Sequence, residues 1–208
     1  MRRLPIVLFT VLILLTTFVT VAFAGTLKVG PNQQFSEIQE AINAAHDYDM
    51  IAIEPGKYRS NNQITINGRH GLIIEGASRD KVQILLTDPE QPVFRIENST
   101  GIRIANIGAR HDPPVKHMNC NGAVIWIIDT EYATISNCEL NGCGSIGILS
   151  GNNLKLTIID NYIHHNRDVG LSLSDTTGLV KGNIIVDNRT SVSLWGDSSK
   201  LVFKNNKL

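Results

Sequence analysis

The chain has 208 residues, 19 basic and 19 acidic side chains, and a formal net charge of zero. That balance argues against nucleic acid or an anionic membrane surface as partner, because neither attracts a neutral chain over distance. Aromatic residues make up only 6%, whereas Gly, Asn, Ile and Val are plentiful, which suits many short strands and turns rather than a helical bundle.

Arg2 and Arg3 precede an apolar run from Leu4 to about Val21, and Ala22–Phe23–Ala24 then puts small residues at −3 and −1. This order predicts a secretory signal peptide, residues 1–24, cleaved after Ala24. Residues 25–208 are then expected to form one secreted or periplasmic domain with no stable membrane insertion. Left uncleaved, the same run is almost long enough to anchor the chain in a bilayer.

The next element is "SEIQEAINAA", residues 36–45. Ser36 and Gln39 have the spacing of a capping box, and Ile38, Ala41, Ile42 and Ala45 fall on one helical face. A short amphipathic helix of this kind can cover the open end of a stacked structure. "DMIAIEPGKY" follows, with alternating apolar residues Met50, Ile51 and Ile53 before a Pro55–Gly56 turn.

Farther along, an apolar pattern recurs at intervals of 22–23 residues. With Ile135, Ile158 and Val180 as offset zero, offset three holds Cys138, Asn161 and Asn183, and offset five holds Leu140, Ile163 and Ile185. Offset eight holds Cys143, Asn166 and Asn188, and the final segment adds Val202 and Asn205 at offsets zero and three. Apolar pairs follow at offsets eleven and thirteen, Ile146 with Ile148 and Val169 with Leu171, slipping by one to Val192 and Leu194.

A fixed period in this range predicts a solenoid, in which each coil buries its apolar face only by stacking on its neighbours. About six or seven coils are expected. Recurrent Asn at a turn fits an amide ladder that satisfies buried polar groups along the axis. Parallel strands with right-handed crossovers are the expected hand. The three cysteines match neither CxxC nor a zinc pattern. Cys120 and Cys143, which share offset eight, are expected on successive coils, and Cys138 is expected to be buried without a partner.

The helix followed by "DMIAIEPGKY", then "GIRIANI" and the Asn-marked coils, resembles the pectin-lyase-like superfamily of right-handed parallel β-helices across nearly all of residues 25–208. The resemblance implies an all-β solenoid with an N-terminal capping helix. It does not imply one activity, since the superfamily holds lyases, hydrolases, esterases, epimerases and non-catalytic proteins. Pectate lyases carry a W-I-D-H-C strand whose Asp helps to bind calcium; the nearest match here is "TISNC", with Ser136 and Asn137 in place of Asp and His. Loss of that carboxylate argues against calcium-dependent elimination. The D-F-I-F-G of pectin methylesterases and the N-T-D, G-H-G and R-I-K motifs of polygalacturonases are absent. No metal or other cofactor is expected.

Register from Ile102, Ala105 and Ile107 to the coil starting at Ile135 requires about ten extra residues, "GARHDPPVKHMN" (108–119). Insertions in a solenoid collect on one face, which is often the binding face. This one carries His111, Asp112, Lys116 and His117. His165, at offset seven, stacks on Asp187; Arg167 and Arg189 share offset nine, and Asp168 follows. Insertion and cluster meet at one corner, with Gly142 and Gly144 between them as the floor of a shallow groove.

Two functions fit this arrangement. In the first, the groove binds or processes an acidic polysaccharide. Asp112 or Asp187 would serve as acid or base, with His165 or His117 as proton shuttle. Arg167 and Arg189 would hold a carboxylate, beside His111, Lys116 and Asp168. In the second, the chain is a non-catalytic envelope or adhesion module and the polar corner is merely solvated. The last coil is expected to present an open edge, tempered by Lys204 and Lys207, and so to support weak homo-association.

Overall fold

The computed structural model describes residues 24–112, 121–142 and 145–208. The expected signal segment, Lys116, His117, Cys120, Cys143 and Gly144 lie outside the described residues, Ala24 excepted. The described residues form eighteen strands that wind into a parallel β-solenoid with three faces. The first face stacks β1 (Thr26–Val29), β2 (Met50–Ile53), β5 (Ile73–Gly76), β8 (Arg103–Ala105) and β11 (Thr134–Ser136). It continues through the second halves of β13 (Ile146–Ile159) and β15 (Val169–Lys181) to β18 (Leu201–Lys204). The second face stacks β4 (Ile64–Asn67), β7 (Phe94–Glu97), β10 (Ala123–Ile128), the first halves of β13 and β15, and β17 (Thr190–Trp195). The third stacks β3 (Gly56–Ser60), β6 (Val82–Leu86), β9 (Gly108–His111), β12 (Glu139–Asn141), β14 (Tyr162–His164) and β16 (Ile184–Val186).

Period-two alternation sends every second residue inward, and those residues form one contiguous core from Val29 to Ile185. Ile and Val dominate because β-branched side chains pack well on a pleated surface. At the sharp corner between the first and third faces, Asn106, Asn137, Asp160, Gly182 and Asn205 adopt positive φ, a conformation that Asn, Asp and Gly tolerate best.

The residue following that turn enters the core and builds the amide ladder. Asn161 Nδ2 donates to Asn183 Oδ1 (3.0 Å), and Asn183 Nδ2 donates to Asn206 Oδ1 (3.0 Å). The side-chain oxygen of each upper residue also accepts a backbone N–H from the coil below it in sequence: Cys138 N donates to Asn161 Oδ1 and Asn161 N to Asn183 Oδ1, both at 2.9 Å. Cys138 stands where the ladder begins. It is fully buried and free, and burial pushes its thiol up to about 12, so it is inert at ordinary pH.

Two register expectations need correction. Ile135 pairs with Ile104 rather than Ile102, so Ile107 takes the level of Cys138 and Ala109 that of Leu140. Ile102 and Ile104 are both fully buried, and a slip of two residues keeps every side chain on its own face, so alternation alone does not choose between them. In the last coil Val180 pairs with Phe203, and Asn206 rather than Asn205 joins the ladder.

Helix α1 spans Ile38–Ala44 and buries Ile38, Ala41 and Ile42 against the first coil. The expected capping box does not form. Glu37 is the N-cap without a side-chain bond, and Gln39 turns instead to the edge of β4. Its Oε1 accepts from Thr65 N (2.7 Å) and its Nε2 donates to Thr65 O (3.1 Å). The side-chain amide thus supplies the hydrogen bonds that a missing neighbour strand would give. At the other helix end, Arg69 donates to the carbonyls of Ile42 (2.9 Å) and Ala45 (3.1 Å), a favourable cation at the negative end of the helix dipole. Among the described residues no helix is long and apolar enough to cross a membrane.

Replacing Asn183 by Ala should lower unfolding stability by about 2–3 kcal/mol, because it strands buried donors and acceptors on two coils. Asn205→Gly, at an exposed positive-φ turn, should change it by less than about 0.5 kcal/mol. Urea denaturation of the two variants checks both values and the corrected register together.

Candidate functional site

The corner between the third and second faces carries two lengthened connections. Three residues, 61–63, join β3 to β4, whereas seven, 87–93, join β6 to β7. The connection after β9 runs from Asp112 to Gly122. The lengthened 87–93 loop was not legible in the repeat, because it precedes the regular coils. The two loops are tied together: Gly122 N donates to Pro89 O (2.9 Å) and Asn121 Nδ2 to Glu90 Oε2 (2.8 Å).

His111 belongs to this tie and not to a binding surface, a correction to the expected role. It follows Ala109 by two residues, so strand alternation sends it inward. It is 1% exposed, pairs with Leu86, and shares a 2.8 Å hydrogen bond between Nε2 and Gln91 O. A carbonyl oxygen only accepts, so Nε2 carries the proton, and Nδ1 has no partner among the described residues. Burial holds its pKa below the usual histidine value, against the opposing pull of the Gln91 carbonyl and the Asp88 carboxylate.

Asp112, just past β9, has both carboxylate oxygens facing guanidinium groups. Arg59 Nη2 donates to Oδ2, and Arg110 Nη2 lies 4.0 Å from Oδ1. The side chain is 14% exposed. Asp112 therefore clasps two arginines, which leaves little of it open for acid–base work.

Register carries the site across the third face. Outward residues form two rows, one through Arg59, Leu85, Arg110, Asn141, His164 and Val186, the other through Gln83, Gly108, Glu139, Tyr162 and Ile184. Where the rows meet the corner, Gly142, His165 and Asp187 stack in positive φ, and His165 N donates to Asp187 O (3.1 Å). The expected His165–Asp187 stack is present. One step on, Arg167 binds Asp168 through Nη2 (2.9 Å) and Nε (3.1 Å), and Arg189 Nη1 lies 3.9 Å from the same carboxylate. Arg167, Asp168 and Arg189 thus come together as the offsets imply.

The most connected group lies between the positions that define the repeat. His164 stacks on Tyr162 with ring centroids 3.8 Å apart. Its Nε2 lies 3.2 Å from Glu139 Oε1, and its Nδ1 lies 2.7 Å from His165 Nδ1. Asn141 Nδ2 also donates to Glu139 Oε1 (3.1 Å). Burial lowers the His164 pKa, with His165 acting in the same direction and Glu139 and Asp187 opposing. The signal was available at offsets four and six, where Glu139, Tyr162, Asn141 and His164 sit, between the inward positions that define the period.

Two further features flank this face. A cavity of about 610 Å³ at its amino-terminal end is lined by Gln39, Tyr58, Arg59, Asn62, Leu85 and Val93, among others. On the second face Arg95 covers the Trp126 ring at 4.5 Å and donates to Glu97, so that indole is capped. Among the described residues no three His, Cys, Asp or Glu side chains converge as a metal site.

Residues 51–208 match the right-handed β-helix region family. The chain belongs to that family. Among solved structures, the catalytic domain of a GH87 α-1,3-glucanase aligns with a TM-score of 0.66 at 17% identity, covering 87% of this chain and 33% of that one. The mannuronan C-5 epimerase AlgE4 A-module of Azotobacter vinelandii gives 0.66 at 18%, covering 81% and 51%. Rice weevil pectin methyl esterase gives 0.57 at 16%, covering 85% and 68%. The chain therefore spans about a third of the glucanase domain and half of the epimerase module. No curated protein matches it significantly by sequence. These likenesses establish the right-handed β-helix fold.

The buried, neutral His111 sets the sign of a pH effect. With its folded pKa depressed, the unfolded chain takes up the proton first as pH falls, so stability is complete above about pH 6.5 and declines below it. His164 is shifted in the same direction and adds to the decline. Urea midpoints at pH 7.5 and 5.5 should therefore differ more for the native chain than for His111→Gln.

Proposed function

We propose that this β-helix protein binds an acidic polysaccharide along its third face and the adjoining corner. The observation that carries the reading is the in-register run of Arg110, Asn141 and His164 on three successive coils, separated from Arg59 in the same row by Leu85 and continued at the corner by Arg167 and Arg189. Strands stack about 4.8 Å apart, so such a row offers repeated polar contacts to an extended polymer. The carboxylates of Asp112 and Asp168 already occupy the positions that an anion would seek. Exposed ion pairs contribute only about 0–1 kcal/mol, so a polymer carboxylate can displace Asp168 from Arg189, whose side chain is 81% exposed. The polysaccharide activities named for the glucanase, the epimerase and the esterase lend this reading support by analogy of fold.

Processing of the polymer is the further step of the same proposal, with His165 and Asp187 as its acid–base groups. The competing function is a non-catalytic envelope or adhesion module. A reducing-end and unsaturated-product assay separates the two. Export through residues 1–24 is likewise proposed, on the order of charge, apolar run and small residues; amino-terminal sequencing of the exported chain tests it.

In calorimetry with oligouronates, Arg110→Ala and Arg189→Ala should each weaken binding by about 1.5–3 kcal/mol, the range for hydrogen bonds to charged groups. Asp160→Asn, at the opposite corner, should leave binding unchanged. Equal affinity for all variants, or no heat with any oligouronate, overturns the proposal.

Weak self-association is a second part of the reading. Leu194, Trp195, Val202 and Leu208 are exposed on the last coil, where β17 and β18 pair only with β15 among the described residues. Light scattering should show concentration-dependent mass for the native chain and less of it for Trp195→Ser.

A further inference from the structure

We propose that Glu139, His164 and His165 form a proton relay that makes His165 Nε2 a neutral proton acceptor at the corner, open to a hydroxyl group of a bound saccharide. The ligand class rests on the function proposed above. The relay itself rests on two hydrogen-bond distances and the tautomers they allow.

The chain of contacts starts at the carboxylate. Glu139 Oε1 is an acceptor, and His164 Nε2 lies 3.2 Å from it. A lone pair on that nitrogen would face the carboxylate's negative charge, so Nε2 carries the proton. Asn141 Nδ2 also lies near that nitrogen, but at 3.4 Å its neutral N–H makes a longer and weaker contact than the charged carboxylate at 3.2 Å, so the carboxylate sets the tautomer. With Nε2 protonated, a neutral His164 has its lone pair on Nδ1. That atom lies 2.7 Å from His165 Nδ1, a separation that requires one proton between the two nitrogens and excludes two. His165 therefore donates from Nδ1, and its lone pair is left on Nε2.

The surroundings keep His164 neutral and in place. It is stacked on Tyr162 (3.8 Å) and its side chain is only 12% exposed; burial lowers its pKa against the opposing carboxylates. The groups facing the pair are Glu139 and Asn141 from β12, Tyr162 from β14 and Asp187 after β16, with Arg110 next to Asn141 in its row. His165 is held at φ +54°, in the column of Gly142 and Asp187. Its ring stands at 84° to that of His164, and the residue is exposed.

The transfer is a balanced one. A hydroxyl O–H bond breaks, its proton bonds to His165 Nε2, and the electron pair stays on oxygen. The imidazolium so formed keeps its Nδ1–H bond to His164, and its positive charge is stabilised along the relay by Glu139. Glu139 and His164 are positioning residues, acting only through His165.

The test reads protons directly and needs no saccharide. Long-range ¹H–¹⁵N correlation spectra of the full ¹⁵N-labelled chain at pH 7.5 should show His164 as the Nε2–H tautomer and His165 as the Nδ1–H tautomer, each favoured about tenfold or more. In Glu139→Gln and in His164→Phe, which keeps a ring on Tyr162, His165 should relax to a mixture with a large Nε2–H fraction. Unchanged backbone amide shifts elsewhere identify a folded variant, and having two variants guards against one failing to fold. A His165 Nε2–H tautomer in the native chain overturns the relay, and so does a His165 tautomer unaffected by both substitutions. Because no ligand is present, that failure is distinct from a failure of oligouronates to bind.

Discussion

Register between parallel coils is the constraint on which everything else in this protein rests. Each coil is too thin to bury its apolar residues alone, so the core exists only as a column in which Ile104, Ile135, Ile158 and Val180 lie one above another. Backbone ladders hold the spacing, but they would tolerate slippage. The buried asparagines do not. Asn183 is fully buried and bonds to the coil above and the coil below at once, so any displacement breaks several bonds in a place where water cannot replace them.

The same register turns a local sequence into an extended surface. Outward positions repeat just as faithfully as inward ones, and they bring Arg110, Asn141 and His164 side by side although the sequence spreads them over three coils. At the corner the backbone helps: His165 and Asp187 accept positive φ, where other side chains would be strained. Their placement costs conformational energy that the ladder on either side repays. Charge is arranged economically, with Asp112 and Asp168 each shared by two arginines.

The long connections at that corner are tolerated for a related reason. Loop-closure entropy grows only slowly with length, so coils can lengthen on one face while the other faces keep their period. A lengthened loop still needs an attachment. Here it is His111, an inward side chain that spends its one N–H on the Gln91 carbonyl, and the attachment makes a titratable residue part of the core.

The fold was legible in the amino-acid order because a solenoid writes its repeat into the sequence. Ile or Val at offset zero, Asn at three and Leu or Ile at five announce the coil, its ladder and its core, and the clustering of His165, Arg167, Asp168, Asp187 and Arg189 follows from the same arithmetic. The sequence did not choose between Ile102 and Ile104, because a two-residue slip keeps every side chain on its face. It left Asn205 and Asn206 open too, because Val202 and Phe203 are both apolar and the two asparagines are adjacent. Nor did it separate inward His111 from outward His164. Both are histidines near one corner, and only the strand direction set by packing decides that the first becomes a buried pin and the second a partner of Glu139 and His165. Periodicity fixes which coil a residue belongs to; the tertiary structure fixes which way it faces and what it can reach, because those depend on atoms that lie far away in the chain.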